Sequence, residues 1–266
     1  MKINYQETTT DLQKRIDIHN QYGSKNIDHW MLQTLPLIPG NTILDVGCGS
    51  GKQCFSFYEY LHGQCNITGG DVSKEMIKEA TEKAKSEEKN IRFIELDFNQ
   101  PFPFEDNHFD IVSCCFAIYY ANDIPFTIRE MHRVLKQGGT LFTTGPMPDN
   151  KKIFYEIIHT ATGLPIPPMP GSSRYSSEIL NTIQATFSSV KVEIFENPLI
   201  FTTVDPFIQY TRASLSEDRK LWSNLFNDKD DFEKIIQKIT AVADRYIEKD
   251  GKIIMTKVVG GFLGRK

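Results

Sequence analysis

Residues 43–53 read ILDVGCGSGKQ, a short apolar run that leads directly into three glycines. The apolar run predicts a buried strand, and the glycines at positions 47, 49 and 51 predict a tight turn into a helix. Glycine suits such a turn because it adopts backbone angles closed to other residues and lets a ligand touch bare main chain. The helix start adds free N–H groups, so the stretch predicts a ligand site at the end of a strand.

The chain that follows this motif alternates short apolar runs with polar helical stretches. Strands are predicted at 42–46, 65–71, 91–97, 109–117 and 140–146, and helices at 53–62, 73–88 and 124–136, the last closed by Gly138 and Gly139. This alternation is typical of βαβ units in a parallel sheet. Beyond residue 146 we predict a Pro-rich loop or lid within 147–180, a helix at 178–186, an antiparallel edge strand at 190–203, helices within 205–249 and a final strand from 252.

Composition and charge narrow the class of protein. The 266 residues are 40% hydrophobic and 24% charged, which is ordinary for a globular chain. Lys and Arg total 30 against 34 Asp and Glu, so nucleic acid is not expected as the main partner. No apolar run is long enough for a membrane span and the N-terminus is polar, so we expect a soluble cytoplasmic protein without a signal peptide. The five cysteines form no C-x-x-C pair, so no metal site is predicted.

The glycine spacing separates the possible ligands. A dinucleotide fingerprint needs its third glycine at position 52, where the chain has Lys52, so a nicotinamide-dependent oxidoreductase is disfavoured. A phosphate-binding loop needs Ser or Thr after Gly51-Lys52, and the chain has Gln53. The chain instead places Asp45 two residues before the first glycine. An acidic strand end suits a ligand that carries a cationic group.

Asp45-x-Gly47-x-Gly49-x-Gly51 resembles the first motif of the class I S-adenosylmethionine-dependent methyltransferases. Asp71 ends the second predicted strand, and Asp97 ends the third in ELDF. The segments FPFEDNHFDIVSCCFAIYY and EMHRVLKQGGTLF resemble the family's signatures at the fourth and fifth strands. The resemblance covers about residues 41–146. It implies an α/β fold with a Rossmann-like, doubly wound, mostly parallel seven-stranded sheet and an antiparallel last strand, plus N-terminal helices and helical lid insertions.

The resemblance also implies a division of the chain and a cofactor. Residues 1–40 are expected to form an N-terminal helical segment, 41–146 the binding core, and 147–266 the rest of the sheet with lid and substrate insertions. The implied cofactor is S-adenosylmethionine, with S-adenosylhomocysteine as product. The residues implied to bind it are Asp45, Gly47, Cys48, Gly49, Asp71, Val72, Met76, Asp97, Phe98, Cys115, Phe116 and Tyr120.

Each of these residues has an implied role. The backbone of 47–49 cradles the methionine end, with Asp45 near its ammonium group. Asp71 accepts hydrogen bonds from the ribose hydroxyls, and Asp97 accepts one from the adenine amino group. The apolar side chains at 72, 76 and 98 lie against adenine, and residues 115 and 116 lie along the cofactor. Tyr120 stands where many relatives carry a His near the methyl group, so the catalytic machinery is not assigned.

The acceptor is predicted to be a small, partly apolar molecule. Aromatic rings hold a sulfonium charge well, and the candidates for this are Tyr22, Trp30, Tyr119 and Tyr120. Tyr22, Trp30 and Tyr119 are also predicted to bind the substrate. The segments added to the core, which include Phe207, Tyr210, Trp222 and Phe226, are expected to cover it. The segments that carry His19, His29 and His159 could cover the pocket, whereas His108 and His132 are expected to be solvated, and we assign no catalytic base.

Several functions stay open from the sequence. The leading one is methyl transfer to an O, N or C atom of a metabolite. An RNA or protein methyltransferase is an alternative that a basic patch would favour, and a non-catalytic S-adenosylmethionine-binding regulator is another, although the intact acids at 45, 71 and 97 count against it. The same pocket also serves cyclisation and decarboxylation in relatives. CCFAIYYAND lacks the N-x-P-Y-type tetrad of DNA adenine and protein glutamine methylases.

Overall fold

The computed structural model describes residues 9–166, 170–217 and 229–266, and its centre is one seven-stranded sheet in the order β3-β2-β1-β4-β5-β7-β6. The strands are β1 Thr42–Val46, β2 Asn66–Asp71, β3 Ile91–Glu95, β4 Phe109–Cys115, β5 Leu135–Pro146, β6 Ser189–Phe201 and β7 Ile253–Arg265. Strands β1 to β5 pair in parallel, and β7 runs antiparallel to both β5 and β6. The predicted fold class is confirmed.

Helices flank the sheet and extend beyond it. They are α1 Thr9–Tyr22, α2 Ile27–Thr34, α3 Lys52–Tyr60, α4 Lys74–Ser86, α5 Ile124–Val134, α6 Lys152–Thr162, α7 Pro170–Arg174, α8 Leu180–Thr186, α9 Val204–Glu217 and α10 Lys229–Asp250. A 3₁₀ turn spans Ile118–Tyr120, and a π-helical turn spans Tyr175–Ile179. Ser73 begins α4 as its N-cap and accepts a hydrogen bond from the amide of Met76, as side-chain oxygens do at helix starts.

Two hydrophobic cores cover the two faces of the sheet. One contains Ile43, Phe57 and Phe142, together with residues of α2, α3 and α4. The other contains Val112 and Phe262, together with residues of α5, α8 and the π-helical turn. Both faces of a parallel sheet must be covered by helices because its strands are apolar on both sides. The arrangement leaves the carboxyl ends of β1 to β4, which we call the carboxyl edge, as the place for a site.

A third core lies beyond the carboxyl end of β5. Pro146 pairs with Val259, and the β6–β7 ribbon continues past this point to the pair Phe201 and Ile253. Helices α1, α6, α9 and α10 pack around the projecting ribbon in a separate cluster of buried side chains. We call this cluster and its elements the helical lobe. The helical lobe lies beyond the same end of the sheet as the carboxyl edge.

Two local predictions were wrong. Helix α5 ends at Val134, and Gly138 and Gly139 lie inside β5 instead of closing the helix. The cause is long-range, because Gly138 donates to Lys266 O at 3.0 Å and Lys266 donates to Gly139 O at 3.0 Å. In the Pro-rich stretch, helix begins at Pro170 and continues through the π-helical turn. The Tyr175 ring there stacks on Phe262 with centroids 4.3 Å apart, so tertiary packing supports this helix.

Candidate functional site

The turn after β1 has a shape that requires glycine. Gly47, Gly49 and Gly51 have φ angles of 72°, 55° and 83°. A Cβ atom on Gly47 would lie 2.5 Å from the Cβ of Ala117, which follows β4. The amides of Gly47 and Cys48 both donate to Gly70 O, at 2.8 and 3.0 Å, and hold the turn against β2. The main chain of the turn is therefore packed closely between β2 and the end of β4.

Asp71 at the end of β2 ties this turn to α4. Its Oδ2 accepts from the amide of Gly49 at 2.8 Å, and its Oδ1 accepts from the amide of Ser73 at 2.9 Å. A carboxylate oxygen accepts two hydrogen bonds, so the half-buried side chain keeps capacity for further donors such as hydroxyl groups. The structure places Asp71 beside the glycine turn. Through its bond to Gly49, Asp71 also holds that turn in place.

Asp97 and Phe98 follow β3 at the same edge. Asp97 Oδ1 accepts from the amide and the Nδ2 of Asn99, at 2.9 and 2.8 Å. Asn99 Oδ1 in turn accepts from the amide of Asn122 at 2.7 Å, which links the ends of β3 and β4. The Phe98 ring faces the glycine turn, with its Cε1 3.7 Å from the position of a Cβ on Gly47. These four residues form one connected rim.

Large apolar side chains are exposed at this rim. Val72 is 64% exposed and Phe116 is 37% exposed, and the Sδ of Met76 lies 3.7 Å from the position of a Cβ on Gly49. Phe116 also has a φ of 57°, an unfavourable backbone state for a bulky residue that is found mostly at functional sites. Apolar groups held in water beside carboxylates form a surface suited to a flat, partly polar ligand.

Asp45 lies buried beneath the turn. Its side chain is 2% exposed, Ser113 Oγ donates to its Oδ1 at 2.6 Å, and the Cys54 thiol lies 3.7 Å from its Oδ2. Burial raises the pKa of Asp45 to about 7, and the Asp71 carboxylate adds to the rise, while the bonds from Ser113 and Cys54 lower it. A cation bound above the turn would favour the ionised form of this carboxyl.

Two thiols and two tyrosines complete the edge. Cys48 is buried in the turn, and burial, followed by the Asp45 carboxyl, raises the pKa of Cys115 far above the usual range for a thiol. The rings of Tyr119 and Tyr120 lie in the 3₁₀ turn with centroids 4.7 Å apart. Arg174 Nη1 donates to Tyr119 O at 2.8 Å, which ties α7 to this turn. The neutral Cys115 thiol is a packing group rather than a nucleophile.

The structure places the two N-terminal aromatic candidates elsewhere. Tyr22 packs on Phe201 of the helical lobe, with ring centroids 5.1 Å apart. Trp30 packs on Phe142 and Phe195, at 6.3 and 5.3 Å, and lines a pocket of about 390 Å³ between α2 and β6. Helix α2 itself reaches the start of α3 through an ion pair of 2.8 Å between Asp28 and Lys52. The role of these rings in substrate binding stays a prediction.

Three histidines and the aromatic residues of the helical lobe pack against other side chains. The ring of His132 packs against Phe187, His108 against Phe104 and His19 against Tyr210. Phe207 and Tyr210 are fully buried in the helical lobe. Trp222 and Phe226 lie outside the described residues. His108 is nevertheless exposed, as predicted, whereas His132 is half-buried.

Sequence reasoning missed several residues of the site. Ser113 is a polar residue within the apolar strand FDIVSCC, and its register opposite Asp45 in the adjacent strand was the available signal. Asn99 follows the acidic strand end by two residues, the spacing of an Asx turn. The position of Lys151 beside Tyr210 in the helical lobe carried no local signal, because segments far apart in sequence bring these residues together. Within the described residues, neither a cluster of three potential metal ligands nor a helix long and apolar enough to cross a membrane occurs.

Comparison with known proteins finds relatives of the segment that forms the first strands of the sheet and the carboxyl edge. Residues 43–139 match the family described as "Methyltransferase domain". The chain is 29% identical over 160 residues to "Uncharacterized methyltransferase YcgJ" of Bacillus subtilis (strain 168), covering 60% of each chain. It is 35% identical over 117 residues to "Demethylmenaquinone methyltransferase" of Listeria welshimeri, covering 42% of this chain and 49% of that protein.

A solved structure agrees in fold. The crystal structure of the YcgJ protein matches with a TM-score of 0.58 and 19% identity, covering 90% of this chain and 97% of that one. The sequence matches to the two curated relatives above span between about half and three-fifths of their length. The segment that carries the glycine turn and the acidic strand ends is therefore the segment that matches a methyltransferase domain, and the fold of the whole chain is that of the YcgJ structure.

Proposed function

We propose that the protein transfers the methyl group of S-adenosylmethionine to an O, N or C atom of a small-molecule acceptor. The observation that carries the proposal is the arrangement of Asp45, Asp71 and Asp97 at the ends of three adjacent parallel strands around the glycine turn. Each acid is held by hydrogen bonds within the chain, so the edge is organised before a ligand arrives. Preorganised polar groups lower the cost of binding.

The residues at the carboxyl edge match the chemical groups of S-adenosylmethionine one by one. The carboxylates of Asp71 and Asp97 are acceptors suited to the ribose hydroxyls and the adenine amino group. Val72, Met76 and Phe98 offer apolar surface to the adenine ring, and the backbone of 47–49 meets the methionine end with Cys48 packed beneath. The cofactor's ammonium group would favour the ionised form of buried Asp45.

The bound cofactor supplies an electrophilic methyl group on a sulfonium. The chain's own contribution is positioning and the exclusion of water, and holding two reactants in line contributes roughly 7–11 kcal/mol to such a reaction. Cys115, Phe116 and Tyr120 would lie along the cofactor, with Tyr119 and Tyr120 beside the acceptor. Aromatic faces there stabilise a sulfonium by about 0.5–2 kcal/mol each. We assign no general base.

A small acceptor is favoured over a macromolecule. The net charge is -4, which gives no general attraction for nucleic acid. The helical lobe lies beyond the carboxyl end of β5 and has an apolar core, and sites for small ligands are lined mainly by apolar side chains. The relative from Listeria is named for a quinone substrate, which supports an acceptor of this size class.

The proposal is tested by calorimetric titration with S-adenosylmethionine, S-adenosylhomocysteine and NADH. We expect binding of the first two and none of NADH. Asp71→Ala should weaken S-adenosylmethionine binding by about 1–3 kcal/mol, since it removes a charge-assisted acceptor from the ribose. Glu75→Ala is the matched control, because this exposed acid lies in the first turn of α4 and should leave affinity unchanged.

Two results would contradict the assignment. One is binding of NADH alone, and the other is an Asp71→Ala variant that keeps the wild-type circular dichroism spectrum and the wild-type affinity. Catalysis is then followed as S-adenosylhomocysteine released on incubation with panels of phenols, amines and quinols. Cofactor binding with no release on any acceptor panel would favour a regulatory binding module instead.

A further inference from the structure

Strand β6 forms one edge of the sheet. It pairs with β7 along its whole length, from Ser189 to Phe201, and no strand among the described residues lies on its other side. An edge strand presents a row of N–H and C=O groups that a further strand can bind. The question is which strand the side chains of β6 would accept.

The hydrogen bonds of β7 show which groups of β6 point outward. Val258 faces the β5 side, because its carbonyl oxygen accepts from the amide of Met147 at 3.0 Å and its amide donates to Asn150 Oδ1 at 3.1 Å. Alternate residues of an antiparallel strand face opposite neighbours, so Val259 faces β6 and its partner Phe195 faces back. The residues that turn their N–H and C=O groups outward are therefore the even-numbered ones, which include Val190, Val192 and Ile194.

Two features limit the length of β6 that can pair. Pro198 is even-numbered, so its missing N–H interrupts the outward row of groups. Asn197 Oδ1 accepts from the amides of Ser24 and Lys25, at 3.0 and 3.1 Å, so the segment before α2 packs beside this part of the strand. Residues 189–195 precede both features, and we call them the outer edge.

One face of the outer edge is an exposed apolar row. Val192 is 42% exposed and Ile194 is 44% exposed, and the half-buried Val190 lies on the same face. These three β-branched side chains alternate along the strand, a pattern that favours pairing with another strand. A contiguous apolar row beside outward backbone groups is typical of an interaction surface.

The other face of the outer edge carries two opposite charges. Lys191 and Glu193 stand one position before and one position after Val192, and they form an ion pair of 2.6 Å. Opposite charges that face each other across two strands stabilise the pairing, and like charges destabilise it. The strand that suits this face therefore carries a Glu and a Lys in the reverse order. The outer edge itself meets that requirement when it runs antiparallel.

We propose that the outer edge pairs with the outer edge of a second copy of this chain, antiparallel and about a twofold axis at Val192. The pairing joins Val192 to the partner's Val192 through N–H and C=O groups that already point outward. Val190 then meets the partner's Ile194, which covers the apolar row. The contact is closed and symmetric, and it joins two seven-stranded sheets into one.

The charges favour this register over its neighbours. With the axis at Val192, Lys191 lies opposite the partner's Glu193, and Glu193 lies opposite the partner's Lys191. Moving the axis one residue forward would place Glu193 against the partner's Glu193, and moving it one residue back would oppose the two lysines. Both shifts replace attraction by repulsion.

Sedimentation equilibrium of the full chain tests the interface. From micromolar to millimolar concentrations, we expect the wild-type protein to shift from monomer to dimer. Val192→Pro should weaken the dimer roughly tenfold to a hundredfold, because it removes the outward N–H of both copies at the axis and no bond to β7. Ile200→Pro is the matched control, since Ile200 is an equally exposed even-numbered residue of β6 that lies beyond Pro198.

Charge exchange tests the register. Lys191→Glu alone and Glu193→Lys alone each oppose like charges in the dimer, and each should weaken it roughly tenfold. An equimolar mixture of the two variants should recover the wild-type affinity, because each Glu then faces a Lys of the other variant. The double variant Lys191→Glu with Glu193→Lys should also dimerise as the wild type does.

These measurements do not depend on the proposed function. The circular dichroism spectrum of every variant should match that of the wild type, and S-adenosylmethionine affinity should be unchanged, because three strands separate β6 from β1. A wild-type protein that stays monomeric at millimolar concentration overturns the proposal. Equal dimerisation of Val192→Pro and Ile200→Pro overturns it as well, and so does a mixture of the two charge variants that fails to recover the dimer.

Discussion

The carboxyl edge and the helical lobe gather ionisable side chains of opposite charge. At the edge, Asp71 accepts two backbone amides and Asp45 accepts the Ser113 hydroxyl, so the polar groups are satisfied by the chain itself. In the lobe, Lys151, Lys257 and Arg15 lie near the buried Tyr210 ring and lower the pKa of its hydroxyl. The edge therefore groups acidic side chains around a glycine turn, whereas the lobe groups basic side chains around an aromatic ring.

The largest expected effect concerns the glycine turn. Gly47→Ala should destabilise the protein by about 2–5 kcal/mol, because it adds both a strained backbone angle and a steric overlap with Ala117. It should also abolish S-adenosylmethionine binding in any variant that folds. Gly163→Ala is the control, since Gly163 has the same φ of 72° but open space around a Cβ.

Urea denaturation and calorimetric titration measure these effects. Gly163→Ala should lose only about 1–2 kcal/mol, the cost of the backbone angle alone. Equal losses in the two variants would show that the close approach to Ala117 contributes nothing to the edge.

The second prediction concerns the pH dependence of stability. The pKa of Asp45 is raised to about 7, so the folded protein keeps a proton that the unfolded chain releases above about pH 4. The contribution of Asp45 to stability is therefore fully present below about pH 4, falls as pH rises toward 7, and is constant above that. The total change is of the order of 4 kcal/mol at most.

Asp45→Asn removes this contribution. Subtracting its free energy of unfolding from that of the wild type at each pH should give a curve that falls between pH 4 and 7. Asp110→Asn gives the opposite sign, because burial raises the pKa of Asp110 but its bonds to Thr42 and Lys136 lower it further. A flat curve for Asp45→Asn would mean that this carboxyl is ionised throughout the range.

The smallest effect compares two buried tyrosines directly. Tyr175 Oη donates to Thr143 O at 2.7 Å, so Tyr175→Phe should destabilise the protein by about 1–3 kcal/mol. Tyr210→Phe should destabilise it by less, since the Tyr210 hydroxyl has only a weaker interaction with Ser214. Urea denaturation measures both. Equal losses in the two variants would show that the two hydroxyls are held equally strongly.

Much of the sheet was predictable because its signals are local. The strands 42–46, 65–71 and 91–97 were predicted within two residues of β1, β2 and β3, since short apolar runs between glycines and charged helices have few alternatives. The end of α5 was not predictable. Lys266 Nζ donates to the carbonyl oxygens of His132 and Leu135, each at 2.8 Å, so a residue 131 positions beyond Leu135 helps to end that helix.

The sequence by itself determined the α/β class, the glycine turn and the acidic residues that end the strands. Those features depend on residues within a few positions of one another, where backbone angles and hydrogen bonds are set locally. Only the tertiary structure decided that Tyr22 packs in the helical lobe, that Ser113 supports Asp45, and that Lys151 lies beside Tyr210. These contacts join segments far apart in the chain, and their energy comes from burial that no single segment achieves alone.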